Sequence, residues 1–355
     1  MVLIILLSIS MIIAFLIGIR QKDVCCYLIV CMSSFLFAFV VMCIVFLLLK
    51  FNGNVELIFP DEMLYVNDST SQLFFSRYVQ FFDKNFSLDV VRWINITLFN
   101  ISLAFLASEI SSYLYGRTRL FCSLLAITGT IVGGYWAFFI LKEAFSVAAL
   151  SMLIVSYIRK SKVFLVFASC LLFFARPELL LLYIAITIAF YFKRKNSHLY
   201  YLAIVTSMVC FILFMNSEYS YSIKLFTLSR RFGESEFEFD DVAITTSNLS
   251  FFPFIMSEPF RQAVMTNINS TFNPFLDLNP LVVVQRLYNI IGFYIFLTCV
   301  KPYLMKDKLY SFAFIVLLGV LFTHSVYRYF NTILIPFSLY FLFLKYRGLN
   351  KGSYK

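Results

Sequence analysis

The feature that most constrains this chain is a series of long apolar segments separated by short groups of charged residues. About eleven of them reach or approach the roughly 20 residues that an α-helix needs to cross the hydrocarbon core of a bilayer. They are continuously apolar, as in Leu179–Phe192, whereas the strands of a transmembrane barrel alternate apolar and polar residues. Because only helices and closed barrels satisfy their backbone groups in lipid, the sequence predicts an all-α, polytopic transmembrane helix bundle.

The composition agrees, since 61% of the residues are hydrophobic and 14% are charged, against about 45–50% and 25% in a soluble domain. A soluble globule, a disordered chain and a collagen-like fibre are therefore excluded. We expect a single integral membrane domain over residues 1–355. The eleven predicted spans are 2–19, 24–49, 93–115, 120–141, 144–158, 163–175, 179–192, 199–215, 287–304, 309–323 and 329–344.

The Lys and Arg residues indicate how these spans are oriented. When the spans alternate across the membrane, one side carries 17 of the 29 Lys and Arg residues and only two acidic residues, Asp23 and Asp307. The connections on the other side carry 12 Lys and Arg and 16 Asp and Glu residues. Because cytoplasmic loops are enriched in Lys and Arg, the N-terminus is predicted outside and the C-terminus in the cytoplasm. The net charge of +10 is thus a topology signal, and no nucleic-acid partner is expected.

Two long connections then face outward, outer loop one (50–92) and outer loop two (216–286). Loop one contains the sequence Phe-Pro-Asp-Glu-Met-Leu-Tyr at 59–65, followed by a stretch in which Phe74, Phe75 and Tyr78 share one helical arc. This amphipathic stretch predicts a helix that lies in the membrane interface or packs against the protein's own helices. Loop two is polar and about 70 residues long, a length that favours a functional lid or a cap with short helices.

Charged residues of both signs recur at the predicted outer ends of the helices. Charges near the hydrocarbon are costly, so such a set indicates a function. The alternative is that these residues cap helices and pair with one another. The candidate catalytic residues are Asp61 and Glu62, and the candidate substrate-binding residues are Lys142, Glu143, Arg176, Arg230, Arg231, His324 and Arg328.

Carboxylates, guanidinium groups and aromatic rings at one face suit the transfer of a sugar from a lipid-linked donor. A carboxylate can remove the proton of an acceptor hydroxyl. Guanidinium groups can bind a phosphate or diphosphate with two parallel hydrogen bonds and offset its developing charge. Aromatic residues such as Tyr65 and Trp93 can stack on sugars or line a slot for a polyprenyl tail.

No metal site and no cofactor are predicted. The chain has two histidines and eight cysteines, and none of them forms a pair with the spacing of metal ligands. Neither a phosphate-binding loop of the Walker type nor a dinucleotide fingerprint is present.

Four short motifs, in this order along the chain, resemble those of bacterial polytopic glycosyltransferases of the GT-C type and of O-antigen or capsule repeat-unit polymerases. They are Pro-Asp-Glu-x-x-Tyr at 60–65, Leu-Lys-Glu-Ala-Phe at 141–145, Arg-Pro at 176–177 and Tyr-Arg-Tyr with a following proline at 327–336. By this resemblance Asp61 or Glu62 occupies the catalytic carboxylate position, and Lys142, Arg176 and Arg328 lie beside the phosphate.

The resemblance implies a polymerase that acts on undecaprenyl-diphosphate-linked repeat units at the outer face of the bacterial inner membrane. Expected partners are the lipid-linked sugar donor, a glycan acceptor and membrane lipid, and a chain-length regulator is a further candidate. Two spans precede the acidic motif, where GT-C enzymes usually have one, and no soluble domain follows the last span. These departures, with Arg230 and Arg231 in loop two, favour the polymerase.

Three other functions stay open at this point. The first is a GT-C-type transferase that moves a single sugar from a polyprenyl-phosphate donor. The second is a flippase or transporter of lipid-linked oligosaccharide, which would need charges at mid-membrane depth. The predicted spans contain almost none apart from Glu109, which is interpreted as snorkelling or pairing with Arg117. The third is a non-catalytic membrane scaffold, which would not require the outward charges.

Overall fold

The structure is a computed structural model that describes residues 2–51, 62, 65–66, 74–195, 197–229, 241–323 and 327–352. These residues are almost entirely helical, and they include no β-strand. The prediction of an all-α fold is therefore confirmed for the part of the chain that the structure describes.

The helices alternate with short turns along most of the chain. The first half contains α1 (Val2–Gly18), α2 (Val24–Phe51), α3 (Phe74–Asn85), α4 (Leu88–Ser111), α5 (Gly116–Phe138), α6 (Glu143–Arg159), α7 (Lys162–Ala175) and α8 (Pro177–Lys195). The second half contains α9 (Ser197–Met215), a short 3₁₀ helix (Glu218–Ser220), α10 (Tyr221–Ser229), α11 (Asp241–Ser247), α12 (Phe251–Met256), α13 (Glu258–Phe272), α14 (Pro280–Tyr303), α15 (Lys308–Thr323) and α16 (Tyr327–Gly352).

Each of the eleven predicted spans coincides largely with one of these helices. Among the described residues, four helices are long and apolar enough to cross a membrane: α2 over Val24–Val45, α4, α5 and α14. Others are shorter. Helix α7 has 14 residues and is therefore about 21 Å long, whereas the hydrocarbon core is about 30 Å thick. Helices able to span a membrane are thus present, while the count of eleven spans stays a prediction.

The chain divides into two compact units. The first comprises Met1–Leu180, Ile291–Lys301 and Asn331–Lys355, and the second comprises Leu181–Ile290 and Pro302–Phe330. Helices α8, α14 and α16 contain residues of both units.

In the first unit α4 lies at the centre, packed against α1, α2, α5 and α6, and α6 packs along α7. The half of α4 from Ser102 to Ser111 is buried throughout. The approach of α5 to α4 is close at Gly133, where an added Cβ would lie 2.7 Å from the ring of Phe99 and 2.8 Å from the side chain of Ile335. A larger residue at this position would push the helices apart.

The first unit has two ends that differ in their polar side chains. One end, here called the α5–α6 end, holds the turn between α5 and α6 together with the start of α4 and the last residues of α7. The opposite end, here called the α1–α2 end, holds the turn between α1 and α2 together with the end of α4, the start of α5 and the end of α6.

The second unit contains the helices of outer loop two. Leu228, Ala243 and Phe254 form a small buried core that joins α10, α11 and α12. Helix α13 packs against α15.

Candidate functional site at the α5–α6 end

The turn between α5 and α6 is buried, which is unusual for a connection between helices. Phe139, Ile140 and Leu141 are each at most 2% exposed. The Leu141 N–H donates to the Phe139 carbonyl at 2.9 Å and so closes a tight turn. Buried backbone groups need hydrogen-bond partners, and other parts of the chain must supply the rest.

Glu62 and Asn95 supply partners for this turn. The backbone N–H of Ile140 donates to Glu62 Oε1 at 2.9 Å, and the Glu62 side chain is fully buried. The side-chain amide of Asn95, on α4, donates to the Phe139 carbonyl at 2.9 Å and lies 3.4 Å from the Leu141 carbonyl. Glu62 thereby fastens outer loop one to the α5–α6 turn, 78 residues further along the chain.

A second contact between the same two segments involves a cation. The ammonium of Lys142 lies 5.2 Å from the ring centroid of Tyr65, within the range of a cation–π interaction. Tyr65 is itself held by Phe75, with ring centroids 5.1 Å apart. Next to Lys142, the buried carboxylate of Glu143 occupies the first turn of α6, where the helix dipole stabilises negative charge.

Helix α3 packs against neighbouring helices along part of its surface. Phe75 and Tyr78 lie against Phe145 of α6, with ring centroids 5.6 and 5.4 Å apart. On its other side Phe74 packs against Phe173 of α7 at 4.8 Å. Burial raises the pKa of the Tyr78 phenol. Phe81 stays 57% exposed, so α3 presents one apolar edge to the helix bundle and another to its surroundings.

Arg176 directly follows α7 and lies at the same end of the first unit. Its Nη1 is 3.7 Å from Oε1 of Glu178, whose side chain is 61% exposed. An ion pair of this kind contributes about 0–1 kcal/mol, so Glu178 holds Arg176 weakly.

Of the predicted site residues, the structure thus brings Glu62, Lys142 and Glu143 together and places Arg176 at the end of the adjacent helix α7.

Arg328 belongs to the second unit, in the first turn of α16. Its guanidinium carbon lies 5.0 Å from the ring centroid of Tyr329, and its Nη2 donates to the hydroxyl of the same tyrosine at 3.1 Å. The remaining predicted site residues lie outside the described residues: Asp61, Arg230, Arg231 and His324.

The α1–α2 end contains a buried ionic cluster that the sequence did not reveal. Glu109 is fully buried, with Lys22 Nζ 2.7 Å from one carboxylate oxygen and Arg159 Nη2 2.6 Å from the other. The Tyr113 hydroxyl lies 3.3 Å from the same oxygen as Lys22. The interpretation that Glu109 snorkels or pairs with Arg117 is therefore wrong, since its partners come from the α1–α2 turn and from α6.

Asp23, beside Lys22, is the second carboxylate of this cluster. Arg119 donates to both of its oxygens, at 2.8 Å from Nε and 2.7 Å from Nη2, and Ser111 donates to one of them. Burial raises the pKa of the Asp23 carboxyl, but the hydrogen bonds from Arg119 and Ser111 outweigh it and hold this pKa below its usual range. The Asp23 carboxylate is therefore ionised at neutral pH, and Arg119 neutralises it.

A cavity of about 300 Å³ lies along α4 in the first unit. Its lining is almost wholly apolar and includes Trp93, Ile101, Met152 and Phe167. Trp93 is fixed at one side of it, because its indole N–H donates to the Ser10 hydroxyl at 2.6 Å. A cavity of this lining accommodates hydrocarbon better than a sugar or a phosphate.

Among the residues that the structure describes, no three His, Cys, Asp or Glu side chains lie close enough to hold a metal ion together. No known protein family, no curated protein and no solved structure matches this chain. Its function is therefore inferred from its own residues.

Proposed function

We propose that this protein is a membrane glycosyltransferase of cell-surface polysaccharide assembly. It polymerises polyprenyl-diphosphate-linked oligosaccharide repeat units at the outer face of the bacterial inner membrane. The observation that carries the proposal is the contact between two distant motifs. Glu62 bonds to the Ile140 amide, and Tyr65 lies under Lys142, so that the acidic motif of loop one and a cationic turn form one site.

In this proposal Asp61 is the general base, and Glu62 positions it. The backbone bond from Ile140 fixes Glu62 in place, and the adjacent Asp61 accepts the proton of an acceptor hydroxyl as that oxygen attacks the anomeric carbon. The bond between the anomeric carbon and the diphosphate oxygen breaks, and the diphosphate leaves with the electron pair. The acceptor chain thereby grows by one repeat unit.

Lys142 and Arg176 stabilise the negative charge that develops on the leaving diphosphate. Guanidinium groups suit this role because they donate two parallel hydrogen bonds in a fixed geometry. In the second unit Arg230, Arg231, His324 and Arg328 are further substrate-binding residues of the proposal. The polyprenyl tail of the donor is the proposed occupant of the apolar cavity beside Trp93.

The proposed orientation has eleven spans, with the α5–α6 end at the periplasmic face and the α1–α2 end in the cytoplasm. It is supported by the distribution of charge in the first unit. Lys22, Arg119 and Arg159 gather at the α1–α2 end, where an excess of cations is typical of the cytoplasmic face.

Deletion of the gene in its host tests this function. We expect the polysaccharide ladder on a gel to disappear and single repeat units to accumulate on the lipid carrier. Wild-type chain restores the ladder. A ladder of normal length in the deletion strain, without accumulated lipid-linked units, would overturn the proposal.

The same experiment separates the alternatives by what accumulates. A single-sugar transferase would leave a repeat unit that lacks one sugar, which mass spectrometry of the released oligosaccharide detects. A flippase would leave complete units at the cytoplasmic face, inaccessible to enzymes added to intact spheroplasts. The flippase is disfavoured because Glu109, a charge well inside a predicted span, is paired with Lys22 and Arg159.

A further inference from the structure

The connection between α13 and α14, residues 273–279 of outer loop two, exposes three large apolar side chains. Phe275 is 83% exposed, Leu278 is 79% exposed and Leu276 is 53% exposed. Single apolar residues are common on protein surfaces, but several in one short turn indicate a contact with another molecule or with a membrane. These three side chains are here called the apolar turn.

Hydrogen bonds hold the backbone of this connection in a defined conformation. Asn273 accepts two of them, from the Phe275 N–H to its Oδ1 at 3.0 Å and from the Leu276 N–H to its carbonyl at 3.3 Å. Asp277 Oδ1 accepts from the Asn279 N–H at 2.9 Å. Side-chain acceptors of this kind fix turns locally, so the apolar side chains project from a backbone that is already ordered.

The same bonds make the connection compatible with lipid, where no water satisfies backbone groups. Pro274 and Pro280 carry no N–H, and the Leu281 N–H donates to Asn279 Oδ1 at 3.0 Å. Together with the bonds at 273–279, four N–H groups of this stretch donate within it. These groups need no water.

The level of the apolar turn relative to a bilayer follows from α14, which is long and apolar enough to cross a membrane. Its 24 residues measure about 36 Å, against a hydrocarbon core of about 30 Å. The first residue, Pro280, therefore lies close to one membrane surface.

Two bonds between α13 and α14 locate the other end of the connection. Arg286 Nε donates to the Ser270 carbonyl at 2.8 Å, and Asn289 Nδ2 donates to the Thr271 carbonyl at 3.0 Å. The connection thus starts beside Asn289 and returns to Pro280, nine residues or about 14 Å nearer the end of α14. It runs along the part of α14 that meets the membrane surface.

The size and polarity of the exposed group favour lipid over a protein partner. A stable protein interface buries about 800 Å² on each side, which is more than three side chains offer. Asp277, between Leu276 and Leu278, is exposed as well, and a carboxylate within hydrocarbon is costly. Apolar side chains that flank a charge suit the boundary between headgroups and acyl chains.

We propose that the apolar turn inserts into the bilayer at this boundary and anchors outer loop two to the membrane surface. Phe275 and Leu278 contact acyl chains, while the Asp277 carboxylate faces headgroups and water. The partner of this surface is therefore lipid itself. The anchor does not depend on the enzymatic function proposed above, because a transporter or a scaffold with this fold would have it too.

Spin labels test the proposal in the full-length protein, freed of its eight cysteines and placed in liposomes of phosphatidylcholine and phosphatidylglycerol. A nitroxide is attached to Phe275→Cys or to Leu278→Cys, two exposed positions where a label displaces no packed side chain. Paramagnetic resonance then compares collisions with oxygen, which concentrates among acyl chains, and with a water-soluble nickel chelate. We expect oxygen collisions to dominate at both positions.

Two further labels calibrate the measurement. Tyr294→Cys, in the middle of α14 and at a position that is 64% exposed, should show the dominance of oxygen that is typical of acyl chains. Lys160→Cys replaces an exposed charged residue in the turn between α6 and α7, and nickel collisions should dominate there. A chain that keeps its cysteines gives a second readout, because brominated lipid should quench the fluorescence that Phe275→Trp adds to the wild type.

A ratio of oxygen to nickel collisions at Phe275 and Leu278 severalfold above that at Lys160 supports the anchor. Nickel collisions as frequent as those at Lys160 would overturn it, because the turn would then lie in water. Few collisions with either reagent would overturn it as well, because a protein surface, such as a second copy of this chain, would then cover the turn.

Discussion

Glu62 is the residue whose role the structure changes most. As the acceptor for the Ile140 N–H it is a positioning residue, and two substitutions separate this role from catalysis. Glu62→Gln keeps an oxygen acceptor, so most of the polysaccharide ladder should remain. Glu62→Ala leaves a buried N–H without its partner, at a cost of about 1–3 kcal/mol, and should shorten the ladder strongly. Gel analysis of the ladder, with the protein quantified in the membrane, checks both. Equal and complete loss in the two variants would instead identify Glu62 as the base.

Two arginines that we propose to bind the substrate, Arg176 in the first unit and Arg328 in the second, allow a second test. A lysine keeps the charge but loses the bidentate geometry, so Arg176→Lys and Arg328→Lys should each lower the polymerisation rate at least tenfold. This corresponds to about 1.4 kcal/mol of transition-state stabilisation. Rates are compared in membranes that contain equal amounts of protein.

The control for these variants is Arg117→Lys. Arg117 is exposed, and a lysine supplies the same topology signal there. Arg159 is unsuitable as a control, because it is bound to the buried Glu109. If Arg176→Lys and Arg328→Lys retain the rate of the control, these two residues do not bind the substrate through their guanidinium groups.

At this scale the sequence singled out charged side chains, but it did not predict their partners. Glu62 and Lys142 stood out because charges beside apolar segments are costly. The partner of Glu62 is a backbone amide of an isoleucine, and nothing in the residue type reveals it. Similarly, Glu109 has its partners 87 and 50 positions away, at Lys22 and Arg159, whereas local spacing suggested the nearby Arg117.

At the scale of the helices, the ionic cluster of the α1–α2 end fastens four segments to one another. Arg159→Ala removes one of the cations that neutralise the buried Glu109. Glu109 keeps its bond to Lys22, and the Arg159 side chain is 26% exposed. The cost therefore stays below the roughly 3–5 kcal/mol of leaving a buried charge without any partner, and we expect a moderate decrease in the melting temperature of the purified protein in detergent. The neighbouring Lys160 is exposed, and Lys160→Ala should leave the melting temperature unchanged. A melting temperature of Arg159→Ala equal to that of the control would show that the pair contributes nothing to stability.

The helix positions follow from the apolar segments, but some helix ends do not. Helix α4 begins at Leu88, five residues before the predicted 93, because a helix starts at its cap and not at its first apolar turn. Ser87 precedes it in extended conformation and Asp89 lies in its first turn, as is typical of helix starts. Helix α14 begins at Pro280 instead of 287, since proline is favoured in the first turn of a helix.

The whole molecule depends on its orientation in the membrane. In a chain freed of its eight cysteines, single cysteines introduced at Asn85 and Asn248 test it, since both positions are exposed. We expect an impermeant thiol reagent to label both in intact spheroplasts, because the proposed orientation places outer loops one and two in the periplasm. Lys160→Cys, also exposed, should be labelled only after the membrane is permeabilised. Labelling with the opposite pattern would move the proposed site to the cytoplasmic face.

The overall architecture was only partly predictable for a physical reason. Hydrophobicity fixes where helices form, because lipid and the protein interior both require apolar side chains. It does not fix which helices cross the whole bilayer, since a short helix such as α7 can tilt, extend through its charged flanks or stay buried in protein. The division into two units depends on contacts between distant helices, which no local pattern encodes.

The central claim is that this chain joins lipid-linked repeat units through a base at Asp61. The most direct test is to reconstitute the purified full-length protein in liposomes with repeat units extracted, still on their lipid carrier, from cells that lack it. We predict that the wild type converts them into a ladder of longer chains on a gel, and that Asp61→Asn, reconstituted in equal amount, leaves single units. Repeat units that stay single with the wild type, or an unchanged ladder with Asp61→Asn, would contradict the account.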